Sequence, residues 1–222
     1  MNSEYDINLL IEKGHLQKAY ELCLHLLKNA DNIDDEIYYR NKLEEISDKL
    51  SNFNLLEGEA FFPVVIEATG EGVLKIIKVT SDECNFSKPI PEKIKNIVEV
   101  FLDGFIKKEI PHLLIMDFKL NDLKMTVKPL AGNDYEDIAG IDGNSYDAAL
   151  FIAVLSYLFS IKVSKGFVFS AVLSVNEKKI IASKVKHTYK KEEAVIKGLG
   201  EQGRLYIHSS NIEAGNNIEK FN

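Results

Sequence analysis

Residues 148–158 read Ala-Ala-Leu-Phe-Ile-Ala-Val-Leu-Ser-Tyr-Leu, a stretch without a single charge. Its longest unbroken apolar run, Ala148 to Leu155, is well short of the ~20 residues that a membrane span needs. A helix that is apolar all round is a core element, and other elements must cover it. The spacing predicts this helix over Ser145 to Ser160. Immediately before it, Ile141-Asp142-Gly143-Asn144-Ser145 reads as a tight turn that delivers a serine to the first helical residues.

The rest of the chain supplies the cover. Leu9, Leu10, Leu16, Ala19, Tyr20, Leu22, Cys23, Leu26 and Leu27 recur at helical spacing, with a break at Gly14-His15. Asn32 and Asp34 cap a third helix, with Ile37, Tyr38, Leu43, Ile46 and Leu50 as its stripe. After Ser51-Asn52-Phe53-Asn54, read as a linker, the period changes. Phe61 to Glu67 and Val73 to Val79 are strands joined by a Thr69-Gly70-Glu71-Gly72 turn. Pro91 opens a helix through Ile106, and His112 to Leu120 and Lys124 to Val127 read as strands. A Gly- and Asp-rich loop from Ala131 to Asn144 precedes the apolar helix. A strand pair, Phe167 to Ser174 and Lys179 to Ala182, follows it. A helix over Val185 to Lys197 and a strand over Leu205 to His208 come last. Helices follow groups of strands rather than alternating with them, which favours an α+β sandwich over a doubly wound sheet. The expected organisation is a helical module over 1–52, a main domain over 53–210 and a polar, fraying tail over 211–222.

The chain has 222 residues, 45% hydrophobic and 27% charged, so it can bury a core without staples. A net charge of −7 argues against generic nucleic-acid binding, although Lys178 to Lys191 is locally basic. Cys23 and Cys84 lack the spacing of a metal site or a disulfide framework, which fits a reducing cytosol. The acidic start, Met1 to Asp6, is unlike a signal peptide, and the expected place is the cytoplasm. The acidic run Asp134 to Asp137, with Asp142, offers oxygen ligands but reads as a solvated loop, so no metal and no cofactor are expected. Neither nucleic acid nor membrane is an expected partner. Gly14 to Tyr20 looks like part of a tetratricopeptide-type helical hairpin, which fits either a helical appendage packed on the main domain or a docking module for a protein partner.

Asp142-Gly143-Asn144-Ser145 resembles the Asp-Gly-Pro-Ser turn of the Lon protease proteolytic domain. The apolar helix from Ala148, the strand from Gly166 to Leu173 and the segment Ile180 to Lys186 are similar to the elements that follow it there. The resemblance spans Phe61 to His208 and is densest from Ile141 to Lys197. It implies a ribosomal-protein-type α/β sandwich and a Ser-Lys dyad peptidase, with Ser145 as nucleophile and Lys186 as its base. Lys184 and Lys190 are alternative partners one small misalignment away. Asp142, Gly143 and Asn144 would support the turn. Asn144 replaces the family's proline, Tyr146-Asp147 its small Ala-Gly pair, and Ser183-Lys184 a Gly-Gly.

Chemically, a serine hydroxyl needs a base to remove its proton, and a lysine serves only when neutral, a state that burial favours. Backbone N–H groups at the helix start would supply oxyanion donors. The same residues also fit a plain N-cap on a core helix and a solvated lysine. No Gly-x-x-x-x-Gly-Lys-Ser/Thr segment is present, so the resemblance implies a proteolytic part without its own ATPase. Implied partners are peptide or unfolded-protein substrates, a separate ATPase or other protein at the N-terminal helices, and further copies in a homo-oligomer. The alternative is a catalytically inactive interaction or adaptor module on the same fold.

Overall fold

A computed structural model describes residues 3–12, 16–30, 32–51, 54–109, 119–130, 136, 144–200, 203–211 and 218–221. The architecture is α+β. Three helices, α1 (Ser3–Glu12), α2 (Leu16–Lys28) and α3 (Ile33–Ser51), form an N-terminal layer. Their shared core is Ile7, Leu16, Ala19, Cys23, Tyr39 and Ile46. Asn32 caps α3 as its residue type predicts: its Oδ1 accepts the Asp35 amide at 2.8 Å. Cys23 is buried there and Cys84 is half-buried, both as free thiols. Burial pushes the Cys23 thiol up to about 11, so it packs as a small apolar group.

The strands are β1 (Glu59–Ile66), β2 (Glu71–Thr80), β3 (Lys88–Pro89), β4 (Lys124–Pro129), β5 (Phe167–Phe169), β6 (Val172–Asn176), β7 (Lys179–Ser183), β8 (Arg204–His208) and β9 (Ile218–Phe221). Seven form one mixed sheet in the order β3-β4-β2-β1-β5-β8-β9, and β6-β7 is a separate hairpin. The β3, β4, β2 and β1 neighbours are antiparallel, whereas β1-β5, β5-β8 and β8-β9 are parallel. The turn between β1 and β2 closes on Gly70, at φ +65°, a conformation that glycine adopts without strain.

The remaining helices are α4 (Glu92–Phe101), which continues through a π-turn (Leu102–Ile106) into α5 (Lys107–Glu109), then α6 (Asp147–Phe159) and α7 (Thr188–Leu199). The period-2 alternation of the strands sorts their side chains onto two faces. Ala60, Phe62, Ile77 and Val79 share a core with Ile94, Ile97, Val98, Leu150, Ala153 and Val154 of α4 and α6. Phe61, Leu74, Ile76, Val168 and Leu205 pack with Val195 of α7. The apolar helix α6 therefore lies between the sheet and α4, as its sequence requires. Its Ser156 Oγ accepts the Gly58 amide at 2.9 Å, tying it to the start of β1. No helix among the described residues is long and apolar enough to cross a membrane.

The structure departs from the sequence expectations in three places. The segment read as one strand from Phe167 to Ser174 splits into β5 and β6 at Ser170-Ala171. The last helix starts at Thr188 rather than Val185, because His187 turns through φ +56° and ends the preceding segment. The segment read as a fraying tail contributes β9, paired in parallel with β8. The strand expected from His112 lies mostly outside the described residues, which resume at Lys119 and enter a 3-10 turn, Leu120–Asp122.

One contact fixes where α7 sits. A Cβ added at Gly72 of β2 would lie 2.0 Å from the Lys190 backbone oxygen, so helix backbone rests directly on strand backbone. We expect Gly72→Ala to push α7 off the sheet and destabilise the protein by about 1–3 kcal/mol. Urea unfolding checks this, and an unchanged midpoint would refute the close approach.

Candidate active site

The break between β5 and β6 organises the site. Ser170 makes the last hydrogen bond of this segment to the sheet, its amide donating to Tyr206 O at 3.0 Å. The next residue turns away, and Ala171 O accepts the Ala148 amide of α6 at 3.3 Å. Ser170 therefore lies where the sheet, the start of α6 and α7 converge, and it is 0% exposed.

Lys191, in the first turn of α7, points into this junction and is 4% exposed. Its Nζ donates to Ser170 Oγ at 2.9 Å. Ser170 Oγ in turn donates to the backbone carbonyl of Ser145 at 3.2 Å. A single buried hydroxyl thus links the lysine to the serine turn. Among the described residues, no carboxylate pairs with Lys191. Burial alone pushes its ammonium down from the ordinary 10.5 to about 8.

The approach to α7 is fixed by a buried asparagine. Asn211 Nδ2 donates to Val185 O at 2.8 Å and to Thr188 Oγ1 at 3.0 Å, while its Oδ1 accepts the Val185 amide at 3.4 Å. These bonds hold both sides of the left-handed residue His187. Together with Gly72 they set the position of the first turn of α7.

An open cleft of about 920 Å³ lies above this junction. Its walls include Phe62, Val64 and Val65 of β1, the turn residues Asn144 and Ser145, and Lys184 to His187 with Lys190 and Lys191. β5 pairs with β1 only at Phe61–Val168. Among the described residues, the same edge of β1 beyond this pair has no strand partner and borders the cleft.

Ser145 is half-buried in the turn before α6 and lines the cleft, and Asn144 beside it is exposed. Asp142 and Gly143 lie outside the described residues. Lys186 and Lys184 are exposed at the rim, and Lys190 is half-buried. The buried lysine is Lys191. Its signal was the helical period: Lys191, Ala194, Val195 and Gly198 are the buried stripe of α7, at spacings of three, four and seven. Ser170 and Asn211 carried no comparable signal, because each acts through a contact more than twenty residues away in sequence.

The two residues after Ser145 also have defined places. Tyr146 packs edge-on against Phe62, with ring centres 6.3 Å apart. Asp147 is buried, accepts the Leu173 amide at 3.0 Å and pairs with Lys93 of α4. Burial pushes its carboxyl up, against the opposing pull of Lys93 and the Leu173 amide. The helix-start amides expected as oxyanion donors are partly engaged. The Asp147 amide donates to Asn144 O and the Ala148 amide to Ala171 O. The acidic loop is described only at Glu136, which pairs with Lys75.

No protein-family model and no curated protein matches the chain. The site must therefore be argued from its own geometry.

Lys191 makes stability depend on pH. Its folded pKa of about 8 lies below the unfolded 10.5, so the unfolded chain holds the extra proton between these values. Stability should rise with pH across that window, by about 3 kcal/mol in all, and be lost again as pH falls. Lys191→Met should be the more stable protein at pH 7 and lack this rise in denaturant titrations from pH 7 to 10. Asn211→Ala strands the Val185 carbonyl and should cost about 1–3 kcal/mol in the same assay.

Proposed function

We propose that the chain is a Lon-like serine peptidase in which Ser145 is the nucleophile and Lys191, rather than Lys186, is the general base. On this reading residues 53–210 form the proteolytic domain on a Lon-type sandwich. Residues 1–52 form a tetratricopeptide-like module for an ATPase or another partner protein. The observation that carries the reading is Lys191: a buried lysine that pairs with no carboxylate among the described residues, its pKa lowered to about 8, on the wall of the cleft that also contains Ser145. A group perturbed by desolvation in a cleft is a candidate for a functional site. Ser170 is fully buried and cannot meet a substrate. Its role is to position Lys191 and the Ser145 turn.

The reaction follows from this arrangement. Neutral Lys191 Nζ takes the Ser145 Oγ proton as the oxygen attacks the scissile carbonyl carbon. The tetrahedral intermediate collapses, the C–N bond breaks, and the leaving amine takes that proton from Lys191. Water, its proton taken by Lys191, then attacks the ester carbon; the bond to Ser145 Oγ breaks, and that oxygen takes the proton back from Lys191, which restores the enzyme. The open edge of β1 offers an extended peptide a backbone ladder beside Ser145.

A second reading is a non-catalytic interaction module. It rests on the bond from Lys191 to Ser170 Oγ in place of one to Ser145 Oγ. A fluorophosphonate probe separates the two readings. Wild type should be labelled at Ser145, and Ser145→Ala and Lys191→Met should lose at least about a hundredfold in labelling rate. The wild-type rate should rise with pH and level off above about 8, as Lys191 loses its proton. Equal labelling of wild type and Ser145→Ala would establish the non-catalytic reading.

A further inference from the structure

Among the described residues, the charge that lines the cleft is mainly opposite in sign to that of the chain. The protein has a net charge of −7, yet Lys184, Lys186, His187 and Lys190 line one wall of the cleft. Glu67, at the end of β1, is the acidic residue on the facing wall. Lys190 is engaged by Glu193 at 3.2 Å. Among the described residues, Lys184, Lys186 and His187 have no ion-pair partner. Among the described residues, two lysines without an ion-pair partner therefore converge beside Ser145, with the His187 imidazole alongside them. Their position follows from the left-handed turn at His187 and the Asn211 clamp, which set the path of 184–188 along the cleft.

We infer that the cleft selects peptides bearing acidic side chains next to the bond presented to Ser145, with Lys184, Lys186 and His187 as the specificity-determining rim. This rests on the peptidase reading and names its substrate class. A concave wall that carries an excess of one sign of charge concentrates ligands of the other sign. A peptide fits better than a nucleic-acid strand. The lining also holds Phe62, Val64 and Val65, beside a β1 edge that has no strand partner among the described residues, and these suit a main chain with apolar side chains.

The test uses the full chain and two fluorescent peptides of equal length, one with paired Asp and Glu residues and one with Asn and Gln in their place. Binding to Ser145→Ala, read by anisotropy, should be about tenfold tighter for the acidic peptide at low salt. That advantage should shrink as salt is raised. In the Ser145→Ala background, adding Lys184→Gln and Lys186→Gln should bring the ratio close to one. Equal binding of both peptides to Ser145→Ala would overturn the inference, as would tighter binding of a single-stranded DNA of matched charge. Turnover by wild type separates this from the reading beneath it. Cleavage without acidic preference would leave the dyad and remove the rim. Acidic-selective binding without cleavage would leave the rim and remove the dyad.

Discussion

The architecture depends on burying one face of α6. Ala149, Leu150, Ala153 and Val154 meet the sheet and α4, while Phe151, Ile152, Leu155 and Leu158 are half-buried around them. Two polar anchors set its register within that apolar environment. Ser156 holds the Gly58 amide near one end, and Asp147 holds Lys93 and the Leu173 amide at the other. The second anchor joins α4, α6 and β6, and so fixes where the turn carrying Ser145 must emerge. Tyr146 completes the seal by packing on Phe62. Asp147 is thus buried and Tyr146 half-buried against the core. Tyr146 leaves the cleft wall to Asn144 and Ser145.

Against this apolar frame, Lys191 is an unfavourable residue. Desolvation disfavours its ammonium, and one neutral hydroxyl does not compensate as a carboxylate would. A structural role would be better served by methionine or leucine at the same place in the stripe. The fold tolerates the lysine because α7 is held by independent means: the backbone contact at Gly72, the Asn211 clamp and the apolar cluster around Val195. Local instability at a site supported from elsewhere is the pattern expected of function rather than of packing.

How much of this was legible in the sequence varies with the range of the interaction. Helices α2, α3, α4 and α6, and strands β1, β2, β4 and β8, follow from local period, caps and turns. The Asn32 cap and the Gly70 turn were readable residue by residue. The break at Ser170-Ala171 was not, because Phe167 to Ser174 is uniformly strand-like. What divides it is competition between Tyr206 and Ala148 for neighbouring backbone groups. β9 was hidden for the same reason: a short polar segment becomes a strand only because β8 offers it an edge. The site shows the same division. The Ser145 turn has a local signature, whereas the choice among neighbouring lysines depends on where α7 begins. Shifting that start from Val185 to Thr188 places Lys191 on the buried stripe and Lys186 outside the helix.

The hydroxyl of Ser170 has a further consequence for Lys191. A serine hydroxyl has one proton to donate and lone pairs to accept. With that proton turned to Ser145 O, the contact with Lys191 has the lysine as donor. In that arrangement Ser170 orients the amine and leaves the electron pair that appears on deprotonation for another donor. In the proposed mechanism that donor is Ser145 Oγ–H, on the residue whose backbone Ser170 holds. Turned toward Lys191 instead, the same hydroxyl would compete for that pair, so the bond to Ser145 O is what the mechanism requires of it.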